Sequence, residues 1–251
     1  MHEGRAAKAT KVAIIAALPR EVLPLVWGVK PDRSLKQRHI TRFILPNAVV
    51  VAAGMGPDRV TLAVEAALEA ADVDLIVSAG LAGSCDPQLH ARLVVEPTKI
   101  VDVRTGERYA TDATEASVLD PRYGSRKTIP NGLVLATGTE IASVQEKARL
   151  RETYGAALVD MEAATVARLA RARGLRFRAI KGISDGPEFE LEGLARFTGK
   201  HGEFLTASFA LHTALRPRTW KKAMELGQGS NVAIGGLSQK LRQIIEDESL
   251  R

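Results

Sequence analysis

The sequence has one cysteine, few aromatic residues and no apolar run long enough to span a membrane, and each shortage excludes a class of protein. The single cysteine, Cys85, cannot form an intramolecular disulfide, and no group of cysteines and histidines has the spacing of a zinc site. Aromatic residues make up 4% of the chain, too few for the stacking platform on which single-stranded nucleic acids bind. We therefore expect no metal, no cofactor and no nucleic-acid partner.

The apolar run nearest the N-terminus also excludes a membrane span and an export signal. This run, Val12–Leu18, is much shorter than the about 20 residues of a spanning helix. It leads into Pro19-Arg20-Glu21 and not into the small-residue cleavage site of a signal peptide. We expect a cytoplasmic protein, and peripheral contact with the inner face of the membrane stays open.

What the sequence does contain is typical of a globular protein. Of its 251 residues, 45% are apolar and 25% are charged, which supports a buried core without disulfides. Lysine and arginine (35) outnumber aspartate and glutamate (29), giving a formal charge of +6, but the basic residues are scattered along helical stretches. They concentrate only toward the C-terminal end, at Arg216, Arg218, Lys221 and Lys222.

Short β-branched runs alternate with helical stretches from residue 12 to residue 183. This alternation predicts a single-domain α/β fold with three layers, α/β/α, and a mixed, twisted central sheet over residues 1–251. The core is expected at about residues 11–190 and a helical C-terminal extension at about 194–251. Residues 105–131 are predicted as turns, and the glycine-rich stretch after Leu226 is predicted as a hinge before a terminal helix, Leu237–Glu246.

Polar and glycine residues follow five of the predicted strands. Ligands of open α/β sheets bind beyond the carboxyl ends of the strands, so these residues are expected to form one pocket. Three acids, Glu21, Glu162 and Asp185, are among them. The glycine segments, Gly54–Gly56 and Gly80–Gly83, match neither a dinucleotide-binding fingerprint nor a phosphate-binding loop for nucleoside triphosphates.

Several segments in this order resemble the superfamily of purine nucleoside phosphorylases and methylthioadenosine/S-adenosylhomocysteine nucleosidases. They are VAIIAALPREV, VVVAAGMG, DLIVSAGLAGSCDP and, most specifically, LVDMEAATVARLARARGLRFRAIKGISDGPEF, which together cover about residues 11–190. The resemblance implies a nucleoside phosphorylase-like fold, a purine nucleoside as partner and a homo-oligomer, expected to be a dimer.

The resemblance also implies a role for each matching residue. Asp185 would protonate N7 of the leaving purine, and Glu21 would activate the attacking water. Glu162 would bind the ribose hydroxyls, and Met161 would lie against the sugar. The remaining residues implied to contact the substrate are Gly80, Ala82 and Gly83 behind the sugar, Ser184 beside the acid, Met55, and Ile141 in the region where nucleosidases place a base-stacking phenylalanine.

Water is favoured over phosphate as the nucleophile, and phosphorolysis to ribose 1-phosphate remains the alternative. Arg20 and Ser84 are the residues available to hold a phosphate, which binds through charge-assisted donors. A nucleoside-binding protein without catalysis is disfavoured because Asp185 and Glu162 are both present.

The C-terminal third resembles the hopanoid-associated branch, whose members cleave adenine from adenosylhopane. Its apolar residues (Phe204, Leu205, Phe209, Leu211, Leu215 and Trp220) and the adjacent basic residues suit a nucleoside with an apolar 5′ substituent. An amphipathic helix packed on the sheet explains the same residues equally well. Salvage of methylthioadenosine or S-adenosylhomocysteine is the alternative.

Overall fold

The structure, a computed structural model, describes residues 11–190, 199–203 and 217–250, with the helix backbone alone for 217–223. Within these residues, twelve strands form one mixed sheet. They are β1 (Lys11–Ala16), β2 (Thr41–Ile44), β3 (Ala48–Ala52), β4 (Val73–Ser84), β5 (Val94–Glu96), β6 (Lys99–Asp102), β7 (Arg108–Ala110), β8 (Ala116–Asp120), β9 (Ser125–Ile129), β10 (Val134–Thr137), β11 (Ala156–Asp160) and β12 (Arg176–Asp185). The helices are α1 (Pro57–Ala70), α2 (Val144–Tyr154), α3 (Ala163–Arg171) and α4 (Pro217–Ser249), with two 3₁₀ segments, Pro19–Glu21 and Arg33–Arg38.

The long strand β4 organises the sheet. Along its whole length it pairs in parallel with β12. On its other side, its first half pairs in parallel with β1 and its last residues pair antiparallel with β11. β1 is therefore the neighbour of the first half of β4, and β11 is the neighbour of its end. Because the neighbouring strand changes along β4, the sheet curls, and the ends of β1, β4, β11 and β12 converge on one region.

Helices cover both faces of the sheet, as the sequence predicts. One apolar cluster packs α1 and α3 against one face, and a second packs Leu237, Leu241 and Ile244 of α4 against the other. A third, smaller cluster joins Leu150 of α2 to Ala136 and Val159 of the sheet. The three-layer α/β/α prediction is therefore confirmed.

The prediction of turns over residues 105–131 was wrong, because this interval contains β7, β8 and β9. β8 and β9 form an antiparallel hairpin that extends the sheet beyond β5, and β7 pairs antiparallel with β6. Strand β9, SRKTI, is almost entirely exposed. An outer strand with solvent on both faces carries little hydrophobic pattern, so no strand could be predicted there from the sequence.

Two segments predicted to follow strands lie within them. Gly80–Gly83 continues β4, with Gly80 opposite Lys181 and Leu81 opposite Gly182 of β12. Ser184 and Asp185 end β12 at an irregularity in its pairing with β4. Such irregularities re-aim side chains and are common beside active sites.

The predicted glycine hinge was also wrong, since α4 runs unbroken from Pro217 to Ser249. Its glycines serve close packing instead. A Cβ on Gly236 would lie 2.7 Å from a side-chain atom of Pro121, and one on Gly229 would lie 3.3 Å from the carbonyl of Ser184. The helix can therefore approach the end of β12 closely enough for Leu226, Gly227, Ser230, Asn231 and Ile234 to reach the site described below.

Candidate active site

A cavity of about 580 Å³ lies where the strand ends converge. This volume falls within the range of small-molecule sites, about 300–1,000 Å³. The structure brings together at this cavity most of the residues that the sequence singles out, namely Arg20, Glu21, Met55, Ala82, Gly83, Ile141, Met161, Glu162, Ser184 and Asp185. Gly80 lies behind Glu21, and Ser84 is not among the lining residues.

Glu21 is held with both carboxylate oxygens on backbone donors. Its Oε2 accepts from the amide of Leu18 at 2.9 Å, and its Oε1 accepts from the amide of Leu81 at 3.1 Å. A Cβ on Gly80 would lie 3.1 Å from this carboxylate, so glycine there makes room for it. Burial raises the pKa of Glu21 above its ordinary value, although the two backbone amides and Lys181 oppose the shift.

Glu162 faces the cavity because other side chains cap helix α3. Asp160 accepts from the amide of Ala163 at 3.0 Å, and Thr137 accepts from the amide of Ala164 at 3.0 Å. The carboxylate of Glu162 instead accepts from the amides of Gly56 (3.1 Å) and Met161 (3.3 Å). Burial, followed by the nearby Asp160, raises the pKa of Glu162 to about 7.

The sequence reasoning missed Lys181, which lies beneath these acids. Its ammonium is 2.8 Å from Asp160 Oδ2 and 3.1 Å from Ser78 Oγ, and its side chain is 1% exposed. Burial alone would lower the pKa of Lys181, but Asp160, Glu162 and Glu21 outweigh it and raise the pKa above its ordinary value. The sequence did contain a signal for this buried lysine, because Lys181 interrupts the otherwise apolar run from Ala179 to Ile183.

Asp185, 2% exposed, lines the same cavity within a separate, short hydrogen-bond network. Its Oδ1 is 2.5 Å from Ser184 Oγ, which is also 3.2 Å from the carbonyl of Ala82. The single hydroxyl proton of Ser184 can serve only one of these oxygens at a time. Ser184 can therefore donate to an ionised Asp185, or accept from a protonated Asp185 while donating to Ala82.

The sequence reasoning also missed Lys147, a buried lysine of helix α2. Its ammonium lies 2.5 Å from Asp185 Oδ2 and also lines the cavity. Because α2 is rich in charged residues, nothing in its sequence distinguishes Lys147 from its solvent-facing neighbours.

The rest of the cavity is largely apolar. Met55, whose amide donates to the carbonyl of Gly202 at 2.9 Å, and Met161 line it beside the acids. Leu23 and Pro24, together with Leu226 and Ile234 of α4, provide further apolar lining. The side chains of residues 204–223, to which the sequence analysis assigned an apolar and basic wall, lie outside the described residues.

The two residues proposed to hold phosphate are placed differently. Arg20 lies at the cavity and is exposed. The Ser84 hydroxyl is fully buried, donates to the carbonyl of Asp86 at 2.8 Å and accepts from its amide at 3.1 Å. The hydroxyl of Ser84 is thus used by a local turn and is not part of the cavity lining, which does not favour Ser84 as a phosphate ligand.

Within the described ranges, no group of three or more acidic, histidine or cysteine side chains is arranged to hold a metal ion. None of the helices in the same ranges combines the length and the apolarity needed to cross a bilayer.

Comparison with known proteins now identifies the class of this chain. A family model described as the Phosphorylase superfamily matches residues 11–210, and the chain therefore belongs to that superfamily. No curated protein matches the sequence.

Solved structures share the fold at low sequence identity. Futalosine hydrolase of Helicobacter pylori strain 26695 is 15% identical, with a TM-score of 0.66 over 95% of this chain and 98% of that one. A 5′-methylthioadenosine/S-adenosylhomocysteine nucleosidase of H. pylori is 16% identical, with a TM-score of 0.66 over 96% and 99%. The corresponding nucleosidase of Neisseria meningitidis, in complex with methylthio-immucillin-A, is 18% identical, with a TM-score of 0.61 over 96% and 98%. The likeness shows a nucleosidase fold, a mixed, curled sheet flanked by helices in a single domain.

Proposed function

We propose that this protein hydrolyses the N-glycosidic bond of a purine nucleoside that carries an apolar 5′ substituent. The observation that carries the proposal is the distribution of charge along the cavity. In one cluster, the ammonium of Lys181 lies 2.8 Å from Asp160 Oδ2, and Glu162 and Glu21 are near enough to raise the pKa of Lys181. In the other cluster, Asp185 is paired with Lys147.

Cleavage of a glycosidic bond to a purine creates positive charge on the sugar and negative charge on the base, which matches this distribution. The ribose becomes positive as the C1′–N9 bond breaks, and the electron pair of that bond leaves with the base. An excess of carboxylates stabilises the cationic sugar, and an acid paired with a cation stabilises the leaving base. The sugar is therefore assigned to the side of Glu21 and Glu162, and the base to the side of Asp185.

Asp185 is proposed as the general acid that protonates N7. Ser184 supports this assignment because its hydroxyl can satisfy either protonation state of the carboxyl. An acid must lose its proton in the reaction without leaving a buried polar atom unpaired, since such an atom is costly.

Glu21 is proposed as the base that takes a proton from the attacking water. Its raised pKa makes it a stronger base than an exposed glutamate, and base catalysis is most effective with a pKa near the working pH. Arg20 is the cavity-lining arginine of the described residues, and Ser84 does not reach the cavity. A phosphate dianion prefers several charge-assisted donors, so these placements favour water.

The apolar lining formed by Leu23, Pro24, Leu226 and Ile234 supports an apolar 5′ substituent. Adenine is the proposed base, and a polycyclic lipid such as that of adenosylhopane is one candidate for the substituent. Each CH₂ group that becomes buried contributes about 0.8 kcal/mol, so a large hydrocarbon would dominate binding.

The test is release of free adenine from adenosine, methylthioadenosine and adenosylhopane, with and without phosphate. We expect free ribose products whose formation does not depend on phosphate, and the highest kcat/KM for the most apolar 5′ group. A ribose 1-phosphate product with no free ribose would assign the chain to the phosphorylases. An equal or better rate with methylthioadenosine than with adenosylhopane would exclude the lipid substrate.

A further inference from the structure

Lys147 is buried in an unusually complete set of contacts. Its side chain is 1% exposed, and its ammonium donates to Asp185 Oδ2 (2.5 Å), to the carbonyl of Gly186 (2.9 Å) and to that of Phe189 (3.1 Å). An ammonium has three donors, so each has an acceptor. All three acceptors lie at the last residue of β12 or in the segment directly after it. Lys147 therefore holds both Asp185 and the backbone that follows it.

Space for this pair exists because residue 83 has no side chain. A Cβ on Gly83 would lie 3.1 Å from Asp185 Oδ2 and 3.2 Å from Lys147 Cε. These distances are tight, so even an alanine at this position of β4 would push against both partners.

Stability alone does not explain a buried ion pair at this place. Removing two charges from water is costly, and replacing such a pair by apolar residues is often neutral or stabilising. Helix α2 has another attachment to the same loop, because Glu190 accepts from the amide of Val144 at 3.3 Å. Lys147 and Asp185 also both line the nucleoside cavity, which points to a role in the reaction.

We propose that Lys147 is the positioning residue of Asp185, and that its ammonium neutralises the charge Asp185 acquires when its proton passes to the leaving purine. This inference rests on the proposed function. The C1′–N9 electron pair goes to the base, and the proton of Asp185 goes to N7. The carboxylate that remains lies against the ammonium of Lys147, which keeps its own protons. The oxygen of water bonds to C1′, and its proton goes to Glu21.

The substitutions of Lys147 do not replace any of the other titratable groups near the Lys147–Asp185 pair. Burial raises the pKa of the Cys85 thiol to about 12, so that thiol is neutral at working pH. Glu146 and Arg151 lie on α2, Glu190 lies on the loop after β12, and Glu162 and Lys181 lie across the cavity. His90, Arg92, Arg122 and Glu225 line a second cavity of about 400 Å³ that also touches Asp185.

The first test is the steady-state kinetics of Lys147→Met, a substitution of similar length without the charge. The maximal kcat should fall on the order of 10²-fold, because the new carboxylate has lost its stabilising partner. KM should change little, because Lys147 is proposed to act in the release of the base and not in holding the nucleoside.

Two further variants separate charge from hydrogen bonding and from general damage. Lys147→Gln keeps an N–H donor without charge and should show a smaller loss of kcat. It also replaces Lys147→Met if that variant does not fold. Lys240→Met removes a lysine that pairs with Glu96 at 3.1 Å away from the cavity, and its kinetics should match the wild type.

A double-mutant cycle with Asp185→Asn decides whether Lys147 acts through Asp185. Lys147→Met should cost no further rate in the Asp185→Asn background, since the carboxylate it serves is gone. The same loss in both backgrounds, or an unchanged kcat in both Lys147 variants, would overturn the proposal. The wild type is assayed in parallel with the same nucleoside. If the wild type releases no base, the proposed function is contradicted. If the wild type is active but the variants do not behave as stated, only the proposed role of Lys147 is contradicted.

Discussion

Two buried lysines, Lys147 in the cavity lining and Lys181 beneath the acids of the cavity, differ in the acids around them. Lys181 lies among three carboxylates, those of Glu21, Asp160 and Glu162, whereas Lys147 pairs with one, Asp185. If all groups are ionised, the first cluster is negative and the second is neutral. Two lysines of equal burial therefore belong to two different electrostatic environments at a single cavity. The number of acids around each lysine determines whether its environment is negative or neutral.

This difference supports a division of labour between the two sides of the cavity. The negative side suits a sugar that becomes cationic, and the neutral, acid-bearing side suits a base that becomes anionic. Changes on the two sides should then have different signatures. Loss of Glu21, the proposed activator of water, should stop hydrolysis, and loss of Asp185, the proposed acid, should slow base departure. Loss of Glu162, proposed to bind the ribose, should also change stability.

The largest expected effect comes from Glu21→Gln. The amide cannot take a proton from water, so hydrolysis should be abolished while nucleoside binding survives. The measurement is adenine release together with the dissociation constant of the nucleoside from calorimetry. In the wild type, activity should fall as the pH drops through the raised pKa of Glu21, because protonation removes the base.

Retention of hydrolysis in Glu21→Gln would show that another group activates the nucleophile. Arg20→Ala is the matched control at the next residue. It should leave hydrolysis intact if water is the nucleophile, and it should reduce activity strongly if the cavity holds phosphate.

The next effect in size is that of Asp185→Asn. An amide cannot protonate N7, so turnover should fall by a factor of about 10²–10⁴, the usual contribution of general acid catalysis. The fold should survive, and steady-state kinetics with circular dichroism checks both expectations. Asp86→Asn changes a carboxylate outside the cavity, which pairs with Arg151 at 3.4 Å, and should have little effect. Near-normal turnover in Asp185→Asn would remove Asp185 from its role.

The sequence predicted those parts of the structure whose residues form a local hydrophobic pattern, and it missed the parts that depend on contacts between distant residues. The apolar strands and the helices that flank them were predicted from hydrophobic periodicity, because buried strands carry a strong pattern. The hairpin β8–β9, whose outer strand β9 is almost entirely exposed, was missed because such a strand carries no such pattern. The glycines of α4 indicated a hinge by composition, yet they serve close packing, which depends on partners such as Pro121 that are distant in sequence.

The same limit applied to the site. The acids Glu21, Glu162 and Asp185 stand out because they follow apolar runs and match family motifs. Ser84 belongs to the same glycine segment, but its hydroxyl is used by the turn at Asp86, which only the structure reveals. Lys147 and Asp185 are 38 residues apart, and nothing local indicates that one would contact the other.

The smallest expected effect, that of Glu162→Gln, concerns the pH dependence of folding. The folded state raises the pKa of Glu162 from 4.5 to about 7, so the group favours folding fully below about pH 4.5. That contribution is lost as the pH rises through 7, because the buried carboxylate must then ionise. Glutamine never ionises, so Glu162→Gln should be more stable than the wild type above neutral pH and should show no such advantage near pH 4.

Thermal unfolding of both proteins between pH 4 and pH 8.5 measures this difference. We expect the Tm of Glu162→Gln to exceed that of the wild type by a few degrees at pH 8, since about 1 kcal/mol shifts Tm by about 2–4 °C in a chain of this size. Glu65→Gln, a change at an exposed position of α1, should leave the pH dependence unchanged. The stabilised variant should nevertheless bind the ribose hydroxyls poorly and turn over slowly, because the charge that weakens folding is the one proposed to stabilise the cationic sugar. A Tm difference independent of pH would mean that Glu162 is not the buried, negative group on which the contrast between the two sides depends.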